Sequence, residues 1–267
     1  MHWTSFNDFR AAVSGLEEVL TEWGRNSPRG RFIHASLGHE FGAWLASRYF
    51  PIEQSRWCFY YRSHAWALAA GCAVDEIVAS VTGHPDPASS SMHLMLKPNI
   101  IDCNSIVAAQ YPIAVGAAFA DRRSPVICAG GDGSTNTGPF FEALNLARRH
   151  DLSVLFVIED NGIQIGTPYE QTSAVPIETK VSGFGVPTLV ETAPFSDKSV
   201  ERLLPSVARL SGGPVVLVLR AERCCAHMAA GDPENGDTTR MPLSPDSSVW
   251  FERVRDAARV SVMRVGR

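Results

Sequence analysis

The chain has 267 residues, 45% of them hydrophobic, which is enough to bury a substantial core in one α/β domain. A formal net charge of -4 and the lack of any run of like charge argue against nucleic acid as a partner. The first residues, MHWTSFNDFRAAVSGLEEVL, are acidic where a signal sequence is apolar, and no apolar stretch reaches about 18 residues. We therefore expect a cytoplasmic protein without a membrane segment.

Helical and strand patterns alternate along the chain. Apolar residues recur at helical spacing in residues 5–24, 38–49 and 105–120. Three later apolar runs, each ended by glycine or a charged residue, are typical of strands buried on both faces: SPVICAGGDG (124–133), SVLFVIEDNG (153–162) and GPVVLVLRAE (213–222). Buried strands of this kind predict an α/β fold with a parallel sheet and helices on both faces.

The segment between the first two runs, NTGPFFEALNLARRH, predicts a helix with Asn136 or Thr137 at its start and Pro139 in its first turn. It would complete a strand-helix-strand crossover. After Ala221 the composition is typical of loops until a short helical pattern, SVWFERVRDAARV, at 248–260. We expect one domain over residues 1–233 and a short tail with a helix over residues 234–267.

The six cysteines contain no CxxC pair, and the adjacent Cys224 and Cys225 have poor geometry for zinc or for a relaxed disulfide. We expect all of them to be reduced, small apolar side chains.

Two polar residues follow two of the predicted strands, within one or two residues of each strand end. They are Asp132, between two glycines, and Asn161, before a glycine. A right-handed crossover brings the carboxyl ends of two parallel strands to the same rim, where ligands bind in open sheets. Two hard oxygen donors at one rim suit Mg²⁺, which usually completes its shell with water and phosphate oxygens. The stretch GGDGSTNTG therefore indicates a magnesium-bridged phosphate site.

Two common nucleotide motifs do not fit this stretch. A P-loop needs a lysine that GGDGSTNTG lacks, and a dinucleotide fingerprint needs a glycine where Asn136 stands. The alternative without a ligand is that DG and NG are ordinary turn dipeptides, as each of them is in most proteins. Their joint spacing after two buried strands favours the ligand site.

Several segments resemble thiamine diphosphate enzymes, which carry GDG and, after a helix and a strand, an asparagine. The resemblance is closest to the alpha subunit of the decarboxylating component of 2-oxo acid dehydrogenases, of the pyruvate, acetoin and branched-chain type, and covers about residues 31–233. The segments that carry it, beyond GDG and DNG, are HASLGHE (34–40), YRSH (61–64), SSMHL (90–94), NSIVAAQYPIAVGAA (104–118) and RCCAHMAAGDP (223–233).

The resemblance implies a thiamine diphosphate-binding fold and a set of site residues. Asp132 and Asn161 would ligate Mg²⁺ by their side chains and Ile163 by its carbonyl. Backbone contacts to the diphosphate would come from Gly133 and Ser134, and those to the aminopyrimidine ring from Ser105 and Val107. Side-chain donors to the diphosphate would be Tyr61 and Arg62, and the active-site histidines would be His34 and His227, with His64 a weaker candidate.

Some positions depart from the family pattern. Ser105 and Ala109 replace glycines, Cys225 replaces a histidine, and Met228 replaces a serine that is phosphorylated in some members, so we expect no regulation there. The 34 residues after Pro233 are fewer than the family usually has, which weakens the expectation of a large dehydrogenase complex.

The resemblance also implies a partner. In alpha-type chains the glutamate that activates the coenzyme comes from a separate beta subunit, and residues 105–120 pack subunits together. We expect an alpha2-beta2 assembly in which this chain alone is inactive. The enzyme would decarboxylate a 2-oxo acid and pass the acyl or hydroxyalkyl unit to a lipoyl or other carrier.

Two alternatives stay open on the sequence. The first is the amino-terminal half of a split transketolase-like enzyme that moves a two-carbon ketol unit, since DNGIQIGTP is similar to that group; YRSH and SSMH argue against it. The second is a coenzyme-binding scaffold without turnover.

Overall fold

The computed structural model describes residues 3–27, 33–83, 90–225, 227–228 and 248–265. They fall into two compact units. The helical unit draws on Met1–Trp44, Tyr61–Lys97 and Arg223–Arg267, and the sheet unit consists of Leu45–Tyr60 and Pro98–Glu222. Most of the loop-like stretch expected after Ala221, residues 229–247, lies outside the described residues. The expected division at residue 233 stays a prediction.

The sheet unit is built on six parallel strands among its described residues, in the order β2-β1-β3-β4-β8-β7. A two-residue antiparallel pair, β5 with β6, follows β4. The strand bounds are β1 Arg56–Tyr60, β2 Ile100–Asn104, β3 Val126–Gly131, β4 Val154–Asp160, β5 Ile163–Gln164, β6 Thr167–Pro168, β7 Thr188–Thr192 and β8 Val215–Arg220. The three strands predicted from apolar runs, now β3, β4 and β8, are confirmed.

The order of the strands reverses beside β1, because the chain continues to β2 on one side and returns to β3 on the other. Such a reversal opens a crevice at the carboxyl ends of the strands. The register of β3 and β4 runs from Val126 opposite Val154 to Gly131 opposite Glu159. Both strands therefore end at the same level of the rim, and Asp132 and Asn161 are the residues that come next.

Both faces of the sheet are buried, as the apolar runs predict. One face packs against α5, α6 and α7, with Phe156 and Val216 of the sheet facing Tyr111 and Phe140 of the helices in one apolar cluster. On the other face Trp57, Ile127 and Val157 are also fully buried. The helices of this unit are α5 Gln110–Ala120, α6 Gly138–Arg149, α7 Ile177–Ser182 and α8 Asp197–Val207.

The prediction of a helix over residues 105–120 is wrong for its first five residues, since α5 begins at Gln110. Asn104 Oδ1 accepts a hydrogen bond from the Ile106 amide at 2.9 Å, which stabilises a turn instead. Ala108 then has φ of 69°, a conformation that a helix cannot contain. The predicted helix between β3 and β4 is confirmed as α6, with Thr137 at its N-cap position.

The helical unit contains α1 Phe6–Asn26, α3 His64–Ala69, α4 Val74–Thr82 and α9 Ser248–Val265, and α2 spans Glu40–Tyr49. A capping box starts α1, with Ser5 accepting from the Asp8 amide at 3.2 Å and Asp8 accepting from the Ser5 amide at 3.2 Å. The helix expected after the loop-like tail is α9, which packs closely against α1: a Cβ on Gly15 would overlap the Phe251 carbonyl oxygen.

Two further expectations concern the cysteines and membrane-spanning helices. All six cysteines are free in the structure, five of them buried and Cys225 partly buried. No helix in the described part of the chain is both long and apolar enough to cross a bilayer.

Candidate functional site

The predicted metal ligand Asp132 begins a short 3₁₀ turn, Asp132–Asn136, at the end of β3. Its side chain is buried, with only 4% exposed, and its Oδ1 accepts a hydrogen bond from the Gly133 amide at 2.8 Å. The second predicted ligand, Asn161, accepts the Ile163 amide at 3.1 Å through Oδ1. Each side chain is thus fixed by an amide one or two residues further along its own loop.

The two loops that carry these ligands are in contact. A Cβ on Gly133 would lie 3.0 Å from Cγ of Gln164, the residue after Ile163. The absence of a side chain at Gly133 therefore lets the turn after β3 approach the β5–β6 hairpin closely. The structure thereby brings the predicted residues Asp132, Gly133 and Ile163 into one region of the rim.

The side chain of Ser134 contacts Tyr111, which the sequence did not identify as a site residue. Its hydroxyl lies 2.6 Å from the Tyr111 hydroxyl and also donates to the Gly131 carbonyl. Tyr111 projects from α5 between Phe140 and Phe156 and is fully buried, so burial raises the pKa of its phenol well above the usual value. The Ser134 hydroxyl is thus hydrogen-bonded within the protein, and the contact of its backbone with a diphosphate stays a prediction.

Ser105 and Val107 lie in the loop between β2 and α5, apart from the Asp132 turn. Because β1 separates β2 from β3, these loops start about 10 Å apart along the rim. Val107 is 57% exposed, which is unusual for a valine. The structure therefore places both residues at the carboxyl edge of the sheet, beyond the end of β2.

Four predicted residues lie together in the helical unit. The His34 ring centre is 4.4 Å from that of Tyr61 and 4.8 Å from that of His227. Arg62 donates to the Ala35 carbonyl, and its Nη2 lies 3.4 Å from His227 Nδ1. Because a guanidinium has only donors, Nδ1 of His227 acts as the acceptor, and the proton of the neutral ring is then on Nε2. His34, Arg62 and His227 are all at least nine-tenths buried.

A buried pair supports this cluster. The Nδ1 of His64 lies 3.0 Å from both carboxylate oxygens of Glu17, and Glu17 Oε1 also accepts the Ser36 amide at 2.7 Å. Sequence reasoning left His64 as a weaker candidate and did not identify Glu17. A signal was present, since Glu17 stands among Val13, Leu16 and Leu20 on the apolar face of its helix.

Two more ionisable groups in the helical unit, His39 and Glu40, are buried. Burial, together with the charges of Arg62 and Arg223, lowers the pKa of His39 to about 3, so this ring stays neutral. Burial raises the pKa of Glu40 to about 7 although its carboxylate accepts the Gly38 amide at 2.9 Å. Perturbed groups of this kind concentrate at functional sites.

The donor set at the rim of the sheet fits a hard divalent cation. It offers a carboxylate, an amide oxygen and the Ile163 carbonyl, the ligand types that Mg²⁺ prefers. Within the described residues no group of three or more His, Cys, Asp or Glu is placed so that it could hold a metal ion.

The comparisons with known proteins identify the family of the chain. The family described as "Dehydrogenase E1 component" matches residues 12–235. The "Pyruvate dehydrogenase E1 component subunit alpha" of Porphyra purpurea is 32% identical over 66% of this chain and 57% of its own length. The alpha subunit of the Bacillus subtilis "Acetoin:2,6-dichlorophenolindophenol oxidoreductase" is 30% identical over 85% of this chain and 71% of its own length.

The fold comparison extends over nearly the whole chain. Transketolase from Leishmania mexicana superposes on 99% of it with a TM-score of 0.65 at 15% identity, which confirms the predicted α/β, thiamine diphosphate-binding fold. That alignment spans 46% of the transketolase chain. Likewise the chain spans about half the length of curated relatives such as the Zymomonas mobilis alpha subunit, at 52%. On the match of residues 12–235, the chain belongs to the dehydrogenase E1 component family and is similar to its alpha subunits.

Proposed function

We propose that this chain is the alpha-type subunit of an enzyme that uses thiamine diphosphate and Mg²⁺ to decarboxylate a 2-oxo acid. The observation that carries the proposal is the pair Asp132 and Asn161, which directly follow two neighbouring parallel strands and whose loops touch through Gly133. Membership of the E1 component family supports it, and so do the names of the relatives, which are pyruvate and acetoin enzymes.

In the sheet unit, Asp132, Asn161 and the Ile163 carbonyl would hold Mg²⁺, whose charge would offset that of the diphosphate. The Gly133 and Ser134 backbone would contact the diphosphate. The Tyr111 hydroxyl would hold the Ser134 side chain away from the diphosphate by a hydrogen bond. When bound, the coenzyme supplies the nucleophile and electron sink that decarboxylation requires. Ser105 and Val107 would contact its aminopyrimidine ring.

In the helical unit, Tyr61 and Arg62 would donate hydrogen bonds to phosphate oxygens. Arg62 also orients His227 by occupying its Nδ1, so the proton on Nε2 is available for donation. His34, in contact with the His227 ring, would stabilise negative charge that develops on the substrate oxygen. Tyr61 and Arg62 would thus bind the phosphate, Arg62 would orient His227, and His227 would donate the proton.

A partner subunit is part of the proposal. The helix α5 is apolar on every side, yet Ile113 is 41% and Phe119 55% exposed, and Gly116 between them is exposed too. A helix that is apolar all round is normally covered. We propose that a beta-type subunit covers it, supplies the activating glutamate and completes an alpha2-beta2 assembly in the cytoplasm; the acyl unit would pass to a lipoyl or other carrier.

The first test is coenzyme binding. Replacing Asp132 by alanine removes the one carboxylate of the proposed metal site, so we expect Mg²⁺-dependent binding of thiamine diphosphate to weaken at least a hundredfold. Titration calorimetry on the co-purified alpha and beta subunits measures it. Glu142→Gln, which neutralises an exposed acid on α6, serves as the control and should bind normally. Undiminished binding by Asp132→Ala would overturn the metal assignment.

The second test separates reaction classes. The co-purified subunits are supplied either with pyruvate and other 2-oxo acids and an artificial electron acceptor, or with a ketose phosphate and an aldose phosphate as acceptor. Release of CO₂ from a 2-oxo acid supports the proposal. Transfer of a two-carbon unit from a ketose phosphate would favour the transketolase-like alternative, and coenzyme binding without any turnover would favour a scaffold.

A further inference from the structure

A carboxylate stands where the sequence of α1 calls for an apolar side chain. Glu17 lies on the buried face of the helix and has 0% of its surface exposed. Removing a carboxylate from water is strongly unfavourable unless hydrogen bonds and an opposite charge replace the solvent. The neighbouring residues therefore have to provide those partners, and their identity shows which segments Glu17 anchors.

The partners of Glu17 come from two different segments. The backbone amide of Ser36 donates to Oε1 at 2.7 Å. The ring of His64 approaches both oxygens with Nδ1, at 3.0 Å each. Because an ionised carboxylate can only accept, Nδ1 of His64 carries the proton of this contact. One side chain thus ties a loop and the start of α3 to α1.

Both segments carry residues of the proposed site. Ser36 is two residues after His34, and His64 is two residues after Arg62. Arg62 in turn donates to the carbonyl of Ala35, between His34 and Ser36. The contacts form a closed ring in which Glu17 holds the two segments from one side and Arg62 joins them from the other.

We propose that Glu17 is a positioning residue that sets the placement of His34 and Arg62 by anchoring Ser36 and His64. The inference rests on the proposed function of those two side chains. The hydrogen bonds of Glu17 go to Ser36 and His64, so it acts on His34 and Arg62 through the segments that it anchors. An error of about 1 Å in the placement of a catalytic group costs up to a hundredfold in rate.

The decisive variant is Glu17→Gln, which keeps the length of the side chain and one acceptor for Ser36. It removes the charge and the second oxygen that His64 contacts. We expect about a tenfold increase in the Kd of thiamine diphosphate, measured by titration on the co-purified subunits, and about a tenfold decrease in kcat. Glu18→Gln is the matched control, because Glu18 is the next residue of α1 and pairs with Arg259 at the partly exposed surface. It should leave both values within about twofold.

A purely structural role predicts a different pattern. Leu20→Ala creates a cavity under the same helix and removes none of the hydrogen bonds of Glu17, so we expect it to lower Tm and leave the ring of contacts in place. Measured well below both Tm values, Leu20→Ala should keep a normal Kd while Glu17→Gln does not. Equal Kd increases at equal Tm loss would overturn the proposal.

The histidine side provides a second pair of variants in case Glu17→Gln does not fold. Asparagine at position 64 places an amide donor close to the position of Nδ1, whereas leucine removes the donor. We expect His64→Asn to retain most of the coenzyme affinity and His64→Leu to lose about tenfold. Equal affinities in these two variants would contradict the proposal.

A structural measurement keeps this inference separate from the proposed function. Failure of the wild-type complex to bind thiamine diphosphate would refute the function and leave Glu17 to be judged by crystal structures of the variants. In Glu17→Gln the contact of Arg62 with the Ala35 carbonyl and that of His34 with Tyr61 should shift, whereas in Glu18→Gln they should not. An unchanged geometry in Glu17→Gln would refute the positioning role.

Discussion

Glu40 shows how burial in the helical unit changes the pKa of a single carboxyl group. The carboxyl stands at the first residue of α2, where it accepts the Gly38 amide, but it is buried to 3% exposure. Burial outweighs the hydrogen bonds and the nearby Arg10, and the charge of Glu17 adds to the effect, so the pKa rises to about 7. The ordinary preference for an acid at a helix start is reversed by the loss of solvent.

This reversal predicts a specific pH dependence. The pKa of Glu40 is higher in the folded than in the unfolded chain, so the folded state binds more protons between pH 4.5 and 7 and loses stability as the pH rises through that window. Glu40→Gln should remove this loss. Since each pKa unit corresponds to about 1.4 kcal/mol, the stability difference between variant and wild type should change by on the order of 3 kcal/mol between pH 4.5 and 8.

Urea unfolding of both proteins across this range measures the difference. His39, whose pKa is lowered, acts in the opposite direction below pH 6.5, but it is present in both proteins and cancels in the comparison. A difference that stays constant with pH would contradict the assignment.

At the scale of elements, two glycines in helices have opposite surroundings. Gly15 of α1 faces α9, where an added Cβ would overlap the Phe251 carbonyl and lie 3.1 Å from the Arg255 nitrogen. Gly116 of α5 has nothing within 4 Å of such an atom. Backbone atoms cannot move aside as the end of a flexible side chain can, so the two positions respond differently to the same change.

We expect Gly15→Ala to destabilise the chain by about 1–2 kcal/mol, because overpacking costs about 1–3 kcal/mol and helix propensity returns only part of it. Gly116→Ala should stabilise the isolated chain by about 0.5–1 kcal/mol. Chemical denaturation of both variants checks the signs. Stabilisation of Gly15→Ala would show that α1 and α9 pack less closely than the structure indicates.

At the scale of the whole molecule, the exposed apolar face of α5 is the feature that an isolated chain leaves unexplained. Ile113→Arg places a charge in its middle, and we expect it to prevent association with a beta-type subunit while leaving the fold intact. Val175→Arg is a fair control, since Val175 is 39% exposed and Ile113 41%, and it lies outside α5. Sedimentation of mixtures of the two subunits measures the association. Normal assembly of Ile113→Arg would place the partner surface elsewhere.

The sequence predicts the elements that depend on local interactions but not those that depend on residues distant in the chain. The strands β3, β4 and β8 and the helix α6 follow from local apolar patterns, and the crossover rule then places Asp132 and Asn161 at one rim. The strands β1, β2 and β7 were not identified, because their short runs become strands only through pairing in the sheet.

The same limit applies to the site. His34, Tyr61, Arg62 and His227 were expected as site residues from motif resemblance, and the structure adds that they touch. Tyr111 and Glu17 could not be found that way, since their partners are 23 and 47 residues distant in sequence. The turn after Asn104, set by a side chain bonding to a local amide, likewise overrode a helical pattern.

The buried carboxylate of Glu17 has a consequence for how the helical unit assembles. The apolar stripe of α1 cannot be buried step by step. The Glu17 carboxylate would lose its hydrating water before it gained new hydrogen-bond partners, unless Ser36 and His64 reached their positions at the same time. Docking of the helix, ordering of the loop and placement of the α3 start are therefore one all-or-none event. Any local opening that frees one of them should release all three together.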